Sequence, residues 1–430
     1  MKIGTAGSIV LTEEQKQELA ELGHALFACP ELGFKEVKSS GILTSFLIKE
    51  GFSVETGLSV TGLKAGLGTG DGYHIALVAD MDALEVRIQD QPCAFHSCGH
   101  SIQTAVMAYA MKLLKERGIA EKSGGRVSFI AAPAEEFIDF DSRRAMQQEG
   151  KIQYFSGKQD MIANGVFDDV DCVISMHVNG DSGELMFDVQ SSLAGFAVKK
   201  AVFHGRASHS GAAPHLGRNA LHAASLAMNA IAYMKDQFPA EAGLQLHPVL
   251  TSCGGSVNVI PEEAVLETYI RANTLETLLE AEKKFDDCVI HCARALGMTA
   301  QVERTAGYMP LHQSEEISDV IHRQMLSLCR EDQIVKQVVS GASGDIGDLG
   351  YLIPSVQFGF SGISGRIHSA EFSISNEENA YFNTLKIVTA AVEEILTHPE
   401  LQVKNPDFSE KKNFYMKEWL RRPSEEKNME

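Results

Sequence analysis

The sequence predicts an α/β protein: a mostly parallel sheet covered by helices on both faces and interrupted by a smaller α+β domain. Three observations predict it. The apolar runs His74–Ala79, Arg126–Ala131 and Asp171–Met176 read as buried strands, and Ile102, Val106, Tyr109 and Leu113 put a helix between the first two. Near residue 195 the pattern becomes strand–helix–strand–strand–helix–strand, and the first texture returns from about Ser314. The chain has 430 residues, 44% hydrophobic and 22% charged, which suffices for two domains with separate cores and excludes disorder as the main state.

Taken in order, Thr12 caps a helix from Glu13 to Phe27 with Leu19, Leu22, Ala25 and Leu26 on one face. Cys29–Gly33 ends it, and Val37–Lys49 resumes the helical period. Short alternating runs from Val54 to Val78 read as paired strands. Gly66–Gly70 lacks a following helix, so it reads as a hairpin signal and not a dinucleotide loop. A helix covers Ile102–Glu116. In the second texture, Ala197–Phe203, Gly255–Pro261 and Ala264–Ala272 read as strands, and Asn219–Gln237 and Leu275–Leu296 as helices. Residues 193–305 are therefore expected to be a domain inserted between 1–192 and 306–430. The polar tail after Pro399, with Lys411-Lys412 and Ser424–Lys427, is expected to pack loosely as a surface helix.

The net charge of −19 repels phosphate backbones and anionic lipid, so nucleic acid and membrane are not expected partners. No apolar run approaches the ~18 residues of a membrane span. The start, Met1–Thr5 leading to Ile9–Leu11, is too short in apolar residues for an export signal. The eight cysteines include no CxxC pair and read as reduced thiols in a cytoplasmic protein.

Four features carry chemistry. His96-Ser97-Cys98-Gly99-His100 opens a helix, where Cys98 and His100 can face one cation and the helix terminus favours a thiolate. The same residues also read as a buried cysteine beside a surface histidine. Glu135 and Glu136 directly follow a buried strand, where one carboxylate can ligate a metal and the other take a proton; they also read as two solvated loop acids. His177 follows another buried strand, and His368 lies in the glycine-rich Ser361–His368 loop. Each alone also reads as an ordinary polar residue. Together Cys98, His100, Glu136, His177 and His368 supply the mixed S, N and O donors that zinc, manganese or cobalt accept.

Many separate segments resemble the co-catalytic metallopeptidase family of amidohydrolases, which includes hippurate, N-acyl-amino-acid, auxin-conjugate and p-aminobenzoyl-glutamate hydrolases. They are Pro30–Glu36, Ala79–Leu84, His96–His100, Pro133–Glu136, Ser175–Val178, Gly205–His209, Pro214–Ala220, Asn258–Pro261, Arg271, Ser343–Asp345 and His368–Phe372, in family order over nearly the whole chain. The resemblance implies a zinc-peptidase-like α/β catalytic domain with an inserted α+β (ferredoxin-like) lid that dimerises. It implies two divalent ions per subunit (Mn²⁺, Zn²⁺ or Co²⁺) on Cys98, His100, Glu136, His177 and His368, with Glu135 as general base. It places His209, Asn258 and Arg271 at substrate-contacting positions, His209 polarising the scissile carbonyl. The implied reaction is metal-dependent hydrolysis of an N-acyl or N-aroyl amino acid, or a dipeptide-like substrate, by a homodimer.

Two departures qualify the resemblance. Where the family carries Asp and a further His after Cys-Gly-His, this chain has Ser101 and Gln103; Ser101 can cap the helix but removes a charge. Phe137–Ser156 is an insertion after the glutamates, expected either to reshape the substrate pocket or to be a solvated helix. Against the hydrolase stand a catalytically silent binding protein on the same scaffold and a cysteine hydrolase using Cys98.

Overall fold

The structure is a computed structural model that describes residues 4–180 and 183–421, so Met1–Ile3 and Ser424–Lys427 of the expectations above lie outside the described residues. The chain divides into two units. One comprises the chain up to Ser191 with His312–Val338 and Asp348–Lys411; the other comprises Ser192–Leu311, Val339–Gly347 and the described end from Lys412.

The first unit is built on an eight-stranded sheet. Its centre is parallel: His74–Asp80 lies between Arg126–Ala132 and Cys172–Val178, and Ser355–Phe360 pairs with the latter. Antiparallel strands extend it on both sides, Gly62–Leu67 beside Arg126–Ala132 and Phe187–Val189 beside Ser355–Phe360. Every residue of His74–Asp80 is buried, as a strand covered on both faces must be. The helix His100–Glu116 is apolar on nearly all sides and buried with it, and Thr384–Thr397 packs in the same core. Thr12 forms the expected cap on Glu13–Phe27, completed as a capping box by Gln15.

The second unit has a sheet in which Gly195–His204 lies between Glu263–Ala272 and Thr299–Ala306, all antiparallel. The helices Ala220–Met234 and Leu275–Ala295 complete the α+β pattern.

Four local expectations are corrected. Gly66–Gly70 makes no hairpin: Gly62–Leu67 and His74–Asp80 both pair with Arg126–Ala132, which lies between them. A Cβ on Gly68 or Gly72 would stand 2.5 Å from Gly125 O or 1.9 Å from Gly124 O, so these glycines let the crossing pass close to a second turn. Gly255–Pro261 is a loop with one bridge, His209 to Val259; the paired strand is Val249–Cys253. Gly254 at φ +61° and Pro261 bound that loop. Ser101 caps nothing, because the helix starts at His100 with Gly99 as N-cap, and the Ser101 hydroxyl is buried without a hydrogen-bond partner. The tail is not loosely packed: Tyr415 and Trp419 are fully buried, and Arg304 lies 4.7 Å over the Trp419 ring and donates to its carbonyl.

Candidate metal centre

The parallel strands end together, and their carboxyl ends are where an open α/β sheet binds ligands. Asp80 stands opposite Ala132, and His177 opposite Gly359. Just beyond these ends follow Asp82, then Glu135 and Glu136, then the loop bearing His368. The helix carrying His100 begins at the same place because Gly99 sits at φ +76° against Val178; a Cβ there would lie 2.9 Å from Val178 Cβ.

The structure brings six of the nine sequence-derived residues together. Cys98 Sγ lies 3.4 Å from His177 Nε2 and 3.3 Å from His368 Nε2, and His368 Nε2 lies 3.2 Å from Glu136 Oε1. The donor atoms form three overlapping groups, each within 4.8 Å: Cys98, His100 and His177; Cys98, Glu136 and His368; His100, Glu135 and Glu136. Cys98, His100 and Glu136 each belong to two of them. His100 Nδ1 donates to Asp82, 2.9 Å from its carbonyl and 3.1 Å from Oδ1, while His177 Nδ1 donates to the Val178 carbonyl at 2.9 Å. Both rings thereby keep Nε2 for the cluster, and His100 Nε2 is buried with no hydrogen-bond partner.

The electrostatics agree. Burial alone would push the Cys98 thiol up, but the imidazoles of His177 and His100 outweigh it and hold it well below the ordinary range. The Cys98 and Glu136 contacts raise His368 to about 10. Burial raises Glu136, and Asp82 stays low because His100 outweighs its own burial. The donor set and the orphaned imidazole nitrogen fit divalent cations of intermediate softness.

Three supports escaped the reading of the sequence. Asp82 orients His100 and also accepts the Glu136 N–H at 2.9 Å. Glu36 accepts the Ala134 N–H, and Gln103 accepts from Asp80 N at 2.8 Å while donating to the Met176 carbonyl at 2.6 Å. All three lie within or beside the matching segments, and their position in those segments was the available signal.

His209, Asn258 and Arg271 belong to the second unit. His209 is exposed, and its Nδ1 accepts the N–H groups of Gly211 and Ala212 at 3.2 and 3.1 Å, so the neutral ring carries its proton on Nε2. Asn258 accepts from Ser256. The Arg271 guanidinium donates to Ser343 Oγ at 2.9 Å and lies over Phe196 and Tyr269, where burial lowers its pKa.

Comparison with known proteins gives this geometry its class. Residues 190–293 match the M20 peptidase dimerisation domain. The Xaa-Arg dipeptidase of Mus musculus is 25% identical over 396 residues, 88% of this chain and 85% of that protein. A p-aminobenzoyl-glutamate hydrolase polypeptide of Escherichia coli is 31% identical over 277 residues, 60% of this chain and 52% of that protein. A Bacillus subtilis structure described as a dinuclear metal-binding M20 peptidase superposes with a TM-score of 0.71 at 20% identity, covering 90% of this chain and 100% of that one. Fold and relatives define a metal-dependent hydrolase of amide C–N bonds. The M20 dimerisation-domain match falls almost wholly within the second unit, and the chain as a whole shares its fold with the M20 peptidase structure.

Proposed function

We propose that this protein hydrolyses the amide bond of an N-acyl or N-aroyl amino acid, or of a dipeptide-like molecule, and releases a free amino acid. The convergence of Cys98, His100, Glu136, His177 and His368, with Glu135 beside His100 and Glu136, carries this reading. The five ligands would hold two divalent ions, with zinc, manganese and cobalt all compatible with the donors. Bound there, such ions supply Lewis acidity toward an amide carbonyl and toward water.

The chain's own groups do the rest. Glu135 takes the proton of the attacking water and returns it to the leaving nitrogen. Asp82 keeps His100 in the tautomer that leaves Nε2 for the ion. His209, with its proton on Nε2, donates to the carbonyl oxygen as negative charge develops there. Arg271 clamps the substrate carboxylate and Asn258 assists in binding. A homodimer formed through the inserted domain, 193–305, and a reducing, cytoplasmic location complete the proposal. The eight cysteines all stand as free thiols, which supports that location.

The test is turnover and metal content on one sample, with N-acetyl, N-benzoyl and p-aminobenzoyl amino acids and dipeptides. It is run before chelation, after chelation, and with Mn²⁺, Zn²⁺ or Co²⁺ restored. Loss on chelation and recovery with metal is expected, and Glu135→Gln should lower kcat by about 10²–10⁴-fold while retaining metal. Turnover that resists chelation but not alkylation of Cys98 would instead establish a cysteine hydrolase. Bound metal without turnover on any substrate would favour the silent binding protein.

A further inference from the structure

The segment 137–156 carries a largely exposed helix with one side chain turned inward. Its helix, Phe140–Gln148, turns Arg143 inward until the residue is only 3% exposed, and Phe137, Ile152 and Phe155 are buried around it. Among the described residues this guanidinium has no ion-pair partner. It donates to two backbone carbonyls, those of Glu136 and Phe155, and lies 5.5 Å from the Phe34 ring centroid and 6.0 Å from that of Phe137.

A buried cation with no carboxylate in direct contact is unfavourable, and the rings, the two carbonyls and the more distant Asp82 charge offset part of that. What the arrangement achieves is visible at Glu136. The turn presenting the glutamates is strained backbone, with Ala134 at φ +55° and Asp139 at φ +57°, and it carries a short local bond from the Ile138 N–H to the Glu136 carbonyl at 2.9 Å. Glu36 takes the Ala134 N–H and Asp82 takes the Glu136 N–H, each at 2.9 Å. The Glu136 carbonyl, on the far side of the same residue, accepts from Arg143 as well as from the Ile138 N–H, and Arg143 alone links it to the Phe155 carbonyl. Gly33 makes the approach possible, since a Cβ there would lie 2.9 Å from Ala134 Cα and 3.0 Å from Arg143 Nη2.

We infer that Arg143 is a positioning residue for the glutamate pair: its planar fork ties the Glu136 carbonyl to the Phe155 carbonyl, so the insertion sets where Glu135 and Glu136 point. The inference rests on the proposed roles of those glutamates. A lysine is a point charge that cannot bridge two carbonyls in fixed directions.

The experiment compares wild type, Arg143→Met and Arg143→Lys by thermal unfolding, by Co²⁺ titration of the metal-free protein, and by kcat and KM. Both variants are expected to bind Co²⁺ about 10–100-fold more weakly and to lose kcat in the same range, with KM nearly unchanged. The thermal midpoint of the metal-free protein should fall only modestly, because the change to Met removes a buried charge while taking the Arg143 donor from the Glu136 and Phe155 carbonyls. A folded Arg143→Met with wild-type Co²⁺ affinity and kcat overturns the inference, as does Arg143→Lys at wild-type level. If Arg143→Met does not fold, Arg143→Lys decides alone. Were wild type itself to lack metal-dependent turnover, the proposed function would fail, while the Co²⁺ comparison would still decide the role of Arg143.

Discussion

Glu36 Oε1 accepts the N–H of Ala134 at 2.9 Å, and Ala134 is held at φ +55° directly before the two glutamates. Burial, with the Asp82 charge second, pushes Glu36 up to about 8. Its other oxygen accepts from the Thr61 hydroxyl at 2.6 Å, a bond that offsets part of the rise.

The pH dependence of stability follows from that carboxyl. Folding raises its pKa, so its stabilisation is complete below the unfolded value of about 4.5 and is lost as pH rises through about 8. Glu36→Gln reproduces the neutral form's donor and acceptor. It should match wild type in urea unfolding near pH 5 and exceed it at pH 8, by a difference on the order of 3–5 kcal/mol. Parallel stability curves for the two proteins would show that Glu36 is ionised in the fold.

Asp82 should matter through His100. Asp82→Asn leaves a neutral amide where a carboxylate now fixes the ring and holds the Glu136 N–H. Co²⁺ affinity, measured by titration of the metal-free protein, should fall about 10–100-fold. An unchanged affinity would mean that the ring is oriented by other contacts.

His209→Ala should lower kcat by about 10²–10³-fold with KM nearly unchanged, as loss of a donor to a developing oxyanion does. The side chain is exposed, so circular dichroism and thermal midpoint should not move. A wild-type kcat in this variant would remove His209 from the mechanism.

Gly99→Ala adds a Cβ at φ +76°, 2.9 Å from Val178 Cβ. It should destabilise the protein by about 1–3 kcal/mol, read from urea unfolding. Because Cys98 and His100 flank it, metal affinity should fall as well.

Much of the framework was legible because buried parallel strands leave a local trace. His74–Ala79, Arg126–Ala131 and Asp171–Met176 are apolar runs with little else they can become. The candidate ligands were legible as types at strand exits, and each alone remained ambiguous until the fold brought them within a few ångströms. What escaped depends on partners that no local pattern announces. Nothing near Gly66–Gly70 says that Arg126–Ala132 will come between its flanking strands. The burial of Trp419 depends on Arg304, and Glu36 acts on a turn 98 residues further along the chain. Arg143 is close in sequence to the same turn, but its inward direction is set only by the packing around it.

His368 closes the cluster from 270 residues beyond Cys98, on a loop where it sits at φ +61° and donates its N–H to the Ser97 carbonyl at 2.9 Å. During synthesis the chain emerges from its N-terminus. Cys98, His100 and His177 leave the ribosome together with the glutamates, and the whole 193–305 segment must follow before His368 appears. On the proposed ligand assignment, a nascent chain therefore holds a partial set throughout the making of its second unit's sheet, and hydrolytic competence would wait for a loop translated after it.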